Sequence, residues 1–167
     1  MKRVLIIFGL IISCLACKTQ KNTIAAQGLF NRTDNDSLFI TISRSNCFGK
    51  CPVFEASIYE SGHVIYEGKK FVPYIGTYTF YISEDNLKQL KQKAIEINYF
   101  HLQTKYDNEN VTDLPDCTTS VQLDGVRMKI KNRYQGPVGL EEFEKMIDAI
   151  IDSVPKGKVA LPDERKD

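Results

Sequence analysis

Three cysteines and two histidines carry most of the chemistry that the body of this chain could offer. Cys47 and Cys51 bracket Phe48-Gly49-Lys50 and are followed at once by Pro52, while Cys117, His63 and His101 stand apart. Two thiols with three residues between them can form a disulfide, cycle as a redox pair or hold a soft metal ion. On a regular helix their Cβ atoms would sit about 5–6 Å apart, whereas a disulfide needs roughly 3.5–4.5 Å. Gly49 tolerates positive φ, and Pro52 pushes Cys51 toward an extended conformation. The stretch therefore reads as a tight turn between strands, with a Cys47–Cys51 disulfide as the first expectation. Loop entropy alone gives this small ring roughly 2 kcal/mol and a longer bridge to Cys117 roughly 4 kcal/mol. Proximity favours the short bridge and energy the long one, so the pairing stays open at this level.

A redox or metal site would draw on Cys47, Cys51, Cys117 and His63. Together they could supply the four N or S ligands that zinc prefers, but not at a standard zinc-site spacing. Cys-x-x-x-Cys-Pro also resembles the copper-binding motif of thioredoxin-like copper chaperones, in which the motif opens a helix. Here Val53-Phe54-Glu55-Ala56-Ser57-Ile58-Tyr59 follows and alternates like a strand. His63 follows a turn and reads as exposed; His101 lies in an apolar segment and reads as a core residue. The acidic run Asp107, Glu109, Asp113 and Asp116 lacks the glycine and terminal glutamate of an EF-hand loop and reads as solvated. The sequence has neither a phosphate-cradling glycine loop nor a Gly-x-Ser-x-Gly elbow, so no catalytic residue, cofactor or metal is assigned. Phe48 and Lys50 in the turn, with Tyr59 and Tyr66 on the following strands, form a candidate binding surface, since tyrosine suits interfaces.

The N-terminus places the protein. Met1-Lys2-Arg3 is cationic, residues 4–12 are apolar, and Ser13-Cys14-Leu15-Ala16-Cys17 ends the run. This is the pattern of an export signal, too short to span a membrane. A small residue before Cys resembles a bacterial lipobox, which implies lipidation of Cys17, with Cys14 as the alternative. Residues 1–17 are thus expected to be a lipoprotein signal, 18–36 a tether reaching roughly 25 Å, 37–154 a single domain and 155–167 a disordered tail. Export to an oxidising compartment permits disulfides. The net charge of +1 and the absence of a basic run argue against nucleic acid as a partner.

Leu38, Ile40 and Ile42 alternate, as do Phe54, Ala56 and Ile58; Ser61-Gly62 is a turn, and residues 63–68 and 74–82 complete a first set of strands. Ser83 followed by Glu84 and Asp85 is a helix start, with Leu87, Leu90, Ala94 and Ile97 on one face. Thr119, Val121 and Leu123, the Asp124-Gly125 turn, then Val126, Met128 and Ile130 spell a hairpin. A last helix begins near Gly139-Leu140, stops before Pro155 and carries a wide apolar stripe. The expected fold is α+β: an antiparallel sheet of about five to six strands with two helices packed on one face.

The Cys47-to-Pro52 motif, Gly62 with residues 64–68, Thr112-Asp113-Leu114-Pro115, the Gly125 hairpin and Gly136-Pro137 with Leu140 resemble an uncharacterised bacterial family, domain of unknown function 6438. The resemblance covers about Leu38 to Ile151. It implies a location, lipoproteins of Bacteroidota-like bacteria, but no activity. Cys117 lies outside that motif, which implies that it is the unpaired cysteine. The expectation is a non-enzymatic binding or structural domain in the cell envelope, lipid-anchored to what is expected to be the outer membrane, with an envelope protein or ligand as its partner. The alternative is a thiol-redox or copper-handling protein using Cys47 and Cys51.

Overall fold

The computed structural model describes residues 36–158. Four strands come first: β1 (Leu38–Arg44), β2 (Val53–Tyr59), β3 (His63–Lys70) and β4 (Gly76–Tyr81). Helix α1 (Glu84–Glu96) follows, then a 3-10 turn (Tyr99–His101), β5 (Lys105–Tyr106), β6 (Cys117–Leu123), β7 (Val126–Asn132), helix α2 (Val138–Ser153) and β8 (Gly157–Lys158). The strands form one sheet in the order β5-β7-β6-β1-β2-β3-β4-β8. The six long strands are antiparallel to their long neighbours, whereas β5 runs parallel to β7. The domain is thus α+β with a mixed sheet and two helices. It exceeds the expected five to six antiparallel strands because β5 and β8 are two residues long, too short to show any periodicity.

One face of the sheet makes the core. Cross-strand register places Ile40 opposite Ile58 and Val121, Ile42 opposite Ala56 and Thr119, and Val64 opposite Phe80. Apart from Thr119, a buried polar residue, they share a cluster with Leu87, Leu90 and Ala94 of α1 and Leu140, Phe143, Ile147 and Ile151 of α2, so both helices pack on that face. A register shift between Leu38 and Ile40 breaks the simple alternation expected for β1. Phe39 takes the core position, fully buried, and Leu38 is only half-buried.

Local chemistry sets the ends. The Ser83 hydroxyl accepts from the Asn86 amide at 3.1 Å, and Glu84 and Asp85 complement the helix dipole. Asn98 in the left-handed region (φ 55°) turns the chain out of α1. Asp124 (φ 50°) and Gly125 (φ 79°) both take positive φ, the requirement of a tight two-residue hairpin turn. Gly68 faces Gly76 across the β3–β4 pair, and a Cβ there would lie 1.7 Å from the Tyr74 carbonyl oxygen. Only glycine allows that close approach.

The two histidines are the reverse of expectation. His63 is buried, with its ring 5.8 Å from Tyr59 and 5.1 Å from Tyr81, whereas His101 is exposed and Tyr99 fills the core. The 3-10 turn explains the second reversal, since it brings Tyr99 inward and leaves His101 at its outer end.

As far as Lys158 the chain stays packed where the tail was expected to fray; the rest of that tail, residues 159–167, lies outside the described residues. Gly157 and Lys158 pair with Thr79 and Tyr78. The Lys156 ammonium lies 4.6 Å from the Tyr74 ring centroid, 5.3 Å from Tyr66 and 5.2 Å from Phe80, and donates to the Ile151 carbonyl at 2.9 Å. Desolvation lowers its pKa, with Asp152 opposing. Lys156→Met keeps the stem but removes the cation–π contacts. It is expected to cost about 1 kcal/mol and to speed amide exchange in β8, measured by hydrogen–deuterium exchange.

Candidate functional site

The Cys turn closes as the short ring: Cys47 and Cys51 are disulfide-bonded, their Cα atoms 5.7 Å apart, and Cys117 is a buried free thiol. The ring holds its three inner residues outward. Phe48 is 91% exposed, and Gly49 and Lys50 are exposed beside it. Cys47→Ser with Cys51→Ser is expected to lower stability by about 2 kcal/mol, read by urea denaturation. An unchanged midpoint would mean the turn is held by its neighbours instead.

Behind the turn, between the end of the sheet and α2, lies a cleft of about 520 Å³. Cys51, Pro52, Phe54, Phe71 and Val72 supply apolar wall, while α2 presents Glu141, Glu144, Asp148 and Asp152 from the other side. Those carboxylates follow spacings of three and four residues and so share one helix face. Arg44 is the last residue of β1, on the core face, opposite Phe54 on one side and Cys117 on the other. Its guanidinium grips Asp148, Nη2 to Oδ2 at 2.5 Å and Nε to Oδ1 at 3.5 Å, and lies 4.0 Å from Glu144. Asn132, on β7 opposite Cys117, donates its side-chain amide to Glu144 at 3.1 Å.

Burial governs the electrostatics of this group. Glu144 is 4% exposed, and desolvation pushes its pKa up to about 7, with Asn132 and Arg44 opposing. Burial also raises Asp148, against the pull of Arg44. Burial opposes the charge on Arg44, yet Cys117, Asp148 and Glu144 together raise its pKa. Burial and the neighbouring Glu144 carry the Cys117 thiol far above the usual cysteine range. Tyr66 is raised to about 12 by burial, then by Asp152 and Asp148. A thiol so hard to ionise is a poor nucleophile. Glu144 could exchange a proton near neutrality, but its oxygens are already engaged by Asn132 and Arg44. The arrangement is suited to binding: apolar walls with a floor of mutually satisfied polar groups.

The residues proposed for redox or metal chemistry do not converge. Cys47 and Cys51 are bonded to each other, and Cys117 is buried on β6. His63 starts β3 next to Val64, which faces Ile58, so it lies at the opposite end of the β2–β3 hairpin from Cys51. Seven residues of strand separate the two ends, roughly 20 Å. No group of three or more His, Cys, Asp or Glu side chains able to hold a metal ion occurs among the described residues. Two of the four acidic side chains of the loop are paired: Asp107 with Arg133 and Lys105, and Asp116 with Lys131.

The candidate binding surface divides. Phe48 and Lys50 are exposed at the turn, but Tyr66 is buried with its ring stacked on Phe54, 5.4 Å between centroids. Tyr59 is also buried and, next to core-facing Ile58, points to the other face of the sheet. Tyr59 therefore leaves the contact surface expected of it, whereas Tyr66 lines the cleft beside Phe54. Sequence reading had missed Arg44, Asn132, Glu144 and Asp148. A signal for the first three was present: Arg44 continues the alternation of Ile40 and Ile42, Asn132 that of Met128 and Ile130, and Glu144 sits four residues after Leu140 within the apolar stripe of α2. Polar residues at core-parity positions mark either an error or a built polar cluster.

Fold and site together define an α+β domain with a cleft at one end of a mixed sheet, rimmed by a disulfide-closed turn. The chain belongs to the family described as Domain of unknown function (DUF6438), whose model matches residues 38–151. That span runs from the start of β1 to the last buried turn of α2 and so includes Arg44, Asn132, Glu144 and Asp148. No curated protein matches the chain.

Proposed function

We propose that this chain is a non-enzymatic binding domain of the bacterial cell envelope, held to a membrane, the outer one, by a lipid on Cys17. The cleft carries the binding half of the reading: about 520 Å³ of space with apolar walls and a charged floor whose groups are committed to one another. Such a floor orients a ligand or partner segment without consuming it.

The geometry of β1 supports presentation away from the anchor. Asp36 and Ser37, where the chain enters the domain, sit at the Glu60-Ser61 end: the Ser61 amide donates to Asp36 at 3.1 Å and the Glu60 amide to Ser37 at 2.9 Å. The Cys turn and the cleft lie beyond Arg44, at the other end of β1, roughly 20 Å away. A tether joined at Asp36 thus leaves the cleft mouth pointing outward.

Two measurements test the reading. Cys17→Ala, and Cys17→Ala with Cys14→Ala, are expected to abolish incorporation of labelled fatty acid and release the protein from the membrane fraction. Retention of both lipid and membrane association would overturn the anchor. A photo-crosslinking residue at Val72, in the full chain in its own envelope, is expected to give a discrete adduct. Its absence would overturn the binding role of the cleft.

A further inference from the structure

Two features at the same end of the molecule remain unexplained by folding. Phe48 is an almost fully exposed aromatic on a rigid tip, and beside it the cleft has apolar walls with nothing in the domain inserted between them. We propose that each answers the other across a two-fold axis, the Phe48 tip of one copy of this chain entering the cleft of a second. This rests on the cleft being a binding site and names its occupant.

The chemistry of tip and cleft is complementary. Phe48 offers a ring, and two residues on Lys50 offers a cation. The cleft offers apolar wall from Phe54, Phe71 and Val72 and carboxylates from α2. Among the cations lining the cleft, Arg44 is bonded to Asp148, Arg133 is turned to Asp107, and Lys145 lies 3.9 Å from Glu141. Burial lowers the pKa of Lys156 and Asp152 only partly opposes it, the two forming no ion pair within 4.0 Å. The helix side of the cleft is thus acidic on balance and suits an incoming lysine.

The geometry is self-consistent. Cys51 and Pro52 belong both to the turn and to the cleft wall, so tip and cleft adjoin. One two-fold rotation can then satisfy both contacts at once, as an isologous interface requires. The Cys47–Cys51 ring fixes the tip before association, so little conformational freedom is lost on docking. Exposed Phe71 lines the cleft, Leu114 precedes the lining residue Pro115, and both would be covered in the same contact. A central aromatic anchor in a pocket with a charged rim is the usual anatomy of a protein interface.

The test places a photo-reactive p-benzoylphenylalanine at position 48 of the full chain and mixes copies labelled with light and heavy nitrogen. The expected product is a mixed-isotope dimer whose adduct maps to residues 71–73 or to α2. Lys50→Glu on the probe-bearing copy is expected to lower that adduct at least tenfold. A second copy carrying Glu141→Lys and Asp152→Lys is expected to restore it. An adduct confined to one copy, an adduct to a different protein, no adduct, or no restoration by the charge exchange would each overturn the proposal. The Val72 probe separates the two readings: a Val72 adduct to some other molecule sinks the self-association and keeps the binding cleft, whereas a silent Val72 probe sinks both.

Discussion

Arg44→Ala is expected to destabilise the domain by about 3 kcal/mol, the scale on which removal of one partner strands buried charge. The guanidinium is the shared counter-charge of Asp148 and Glu144, and its side chain is only 23% exposed. Without it, the Asp148 carboxylate loses both donors and Glu144 keeps only the neutral donors Asn132 and Cys117. Arg44→Lys is expected to recover part of the loss, since an ammonium cannot reproduce the two-pronged contact with Asp148. Arg44→Met combined with Asp148→Leu and Glu144→Gln should fare better than Arg44→Ala, because apolar and neutral groups of similar volume leave no unmatched charge. Guanidinium denaturation of the three variants reads the series. A loss below 1 kcal/mol for Arg44→Ala would show that water reaches the floor of the cleft and screens the cluster.

The second large effect is on pH dependence. The Glu144 carboxyl has a folded pKa of about 7 against an unfolded value of 4.5, raised chiefly by burial. The folded state therefore holds this proton more tightly than the unfolded state. The resulting stabilisation is complete below pH 4.5 and is lost as pH rises through about 7. A shift of this size corresponds to about 3 kcal/mol. Asp148 is raised in the same direction. Asp107 acts oppositely: hydrogen bonding to Arg133 lowers its pKa, so its contribution is present at neutral pH and lost as pH falls. Subtracting variant from wild type isolates Glu144. Glu144→Gln cannot titrate, so its stability curve is expected to lack the decline between pH 4.5 and 7, and the two curves should diverge by up to about 3 kcal/mol across that window. Parallel curves would mean that Glu144 ionises normally and that the cleft floor is wet.

Several features were legible because they depend only on neighbours along the chain. The alternation of Phe54, Ala56 and Ile58 dictates which face of β2 is buried. Ser83 with Glu84 and Asp85 dictates where α1 begins, and Asp124-Gly125 dictates the β6–β7 turn. The Cys47-to-Pro52 stretch could not be helical, and its ring closes over four residues. The tyrosines were harder. Tyr66 and Tyr59 sit on opposite faces of the same hairpin, and whether a ring in a strand is covered depends on what packs above it. The short edge strands β5 and β8 carry no pattern, so their pairing appears only once β7 and β4 are in place beside them.

By itself the sequence determined the local elements, the outward turn with its paired cysteines and the family to which the chain belongs, since each is written within a few residues or in one continuous span. Tertiary structure decided the site. Arg44 and Asp148 lie 104 residues apart, yet they meet because β1 is central in the sheet and α2 crosses its end. Arg44, Asn132 and Glu144 each look like a single polar interruption of an apolar pattern. Only packing brings the three interruptions onto one spot, where each meets the partner that makes its burial tolerable.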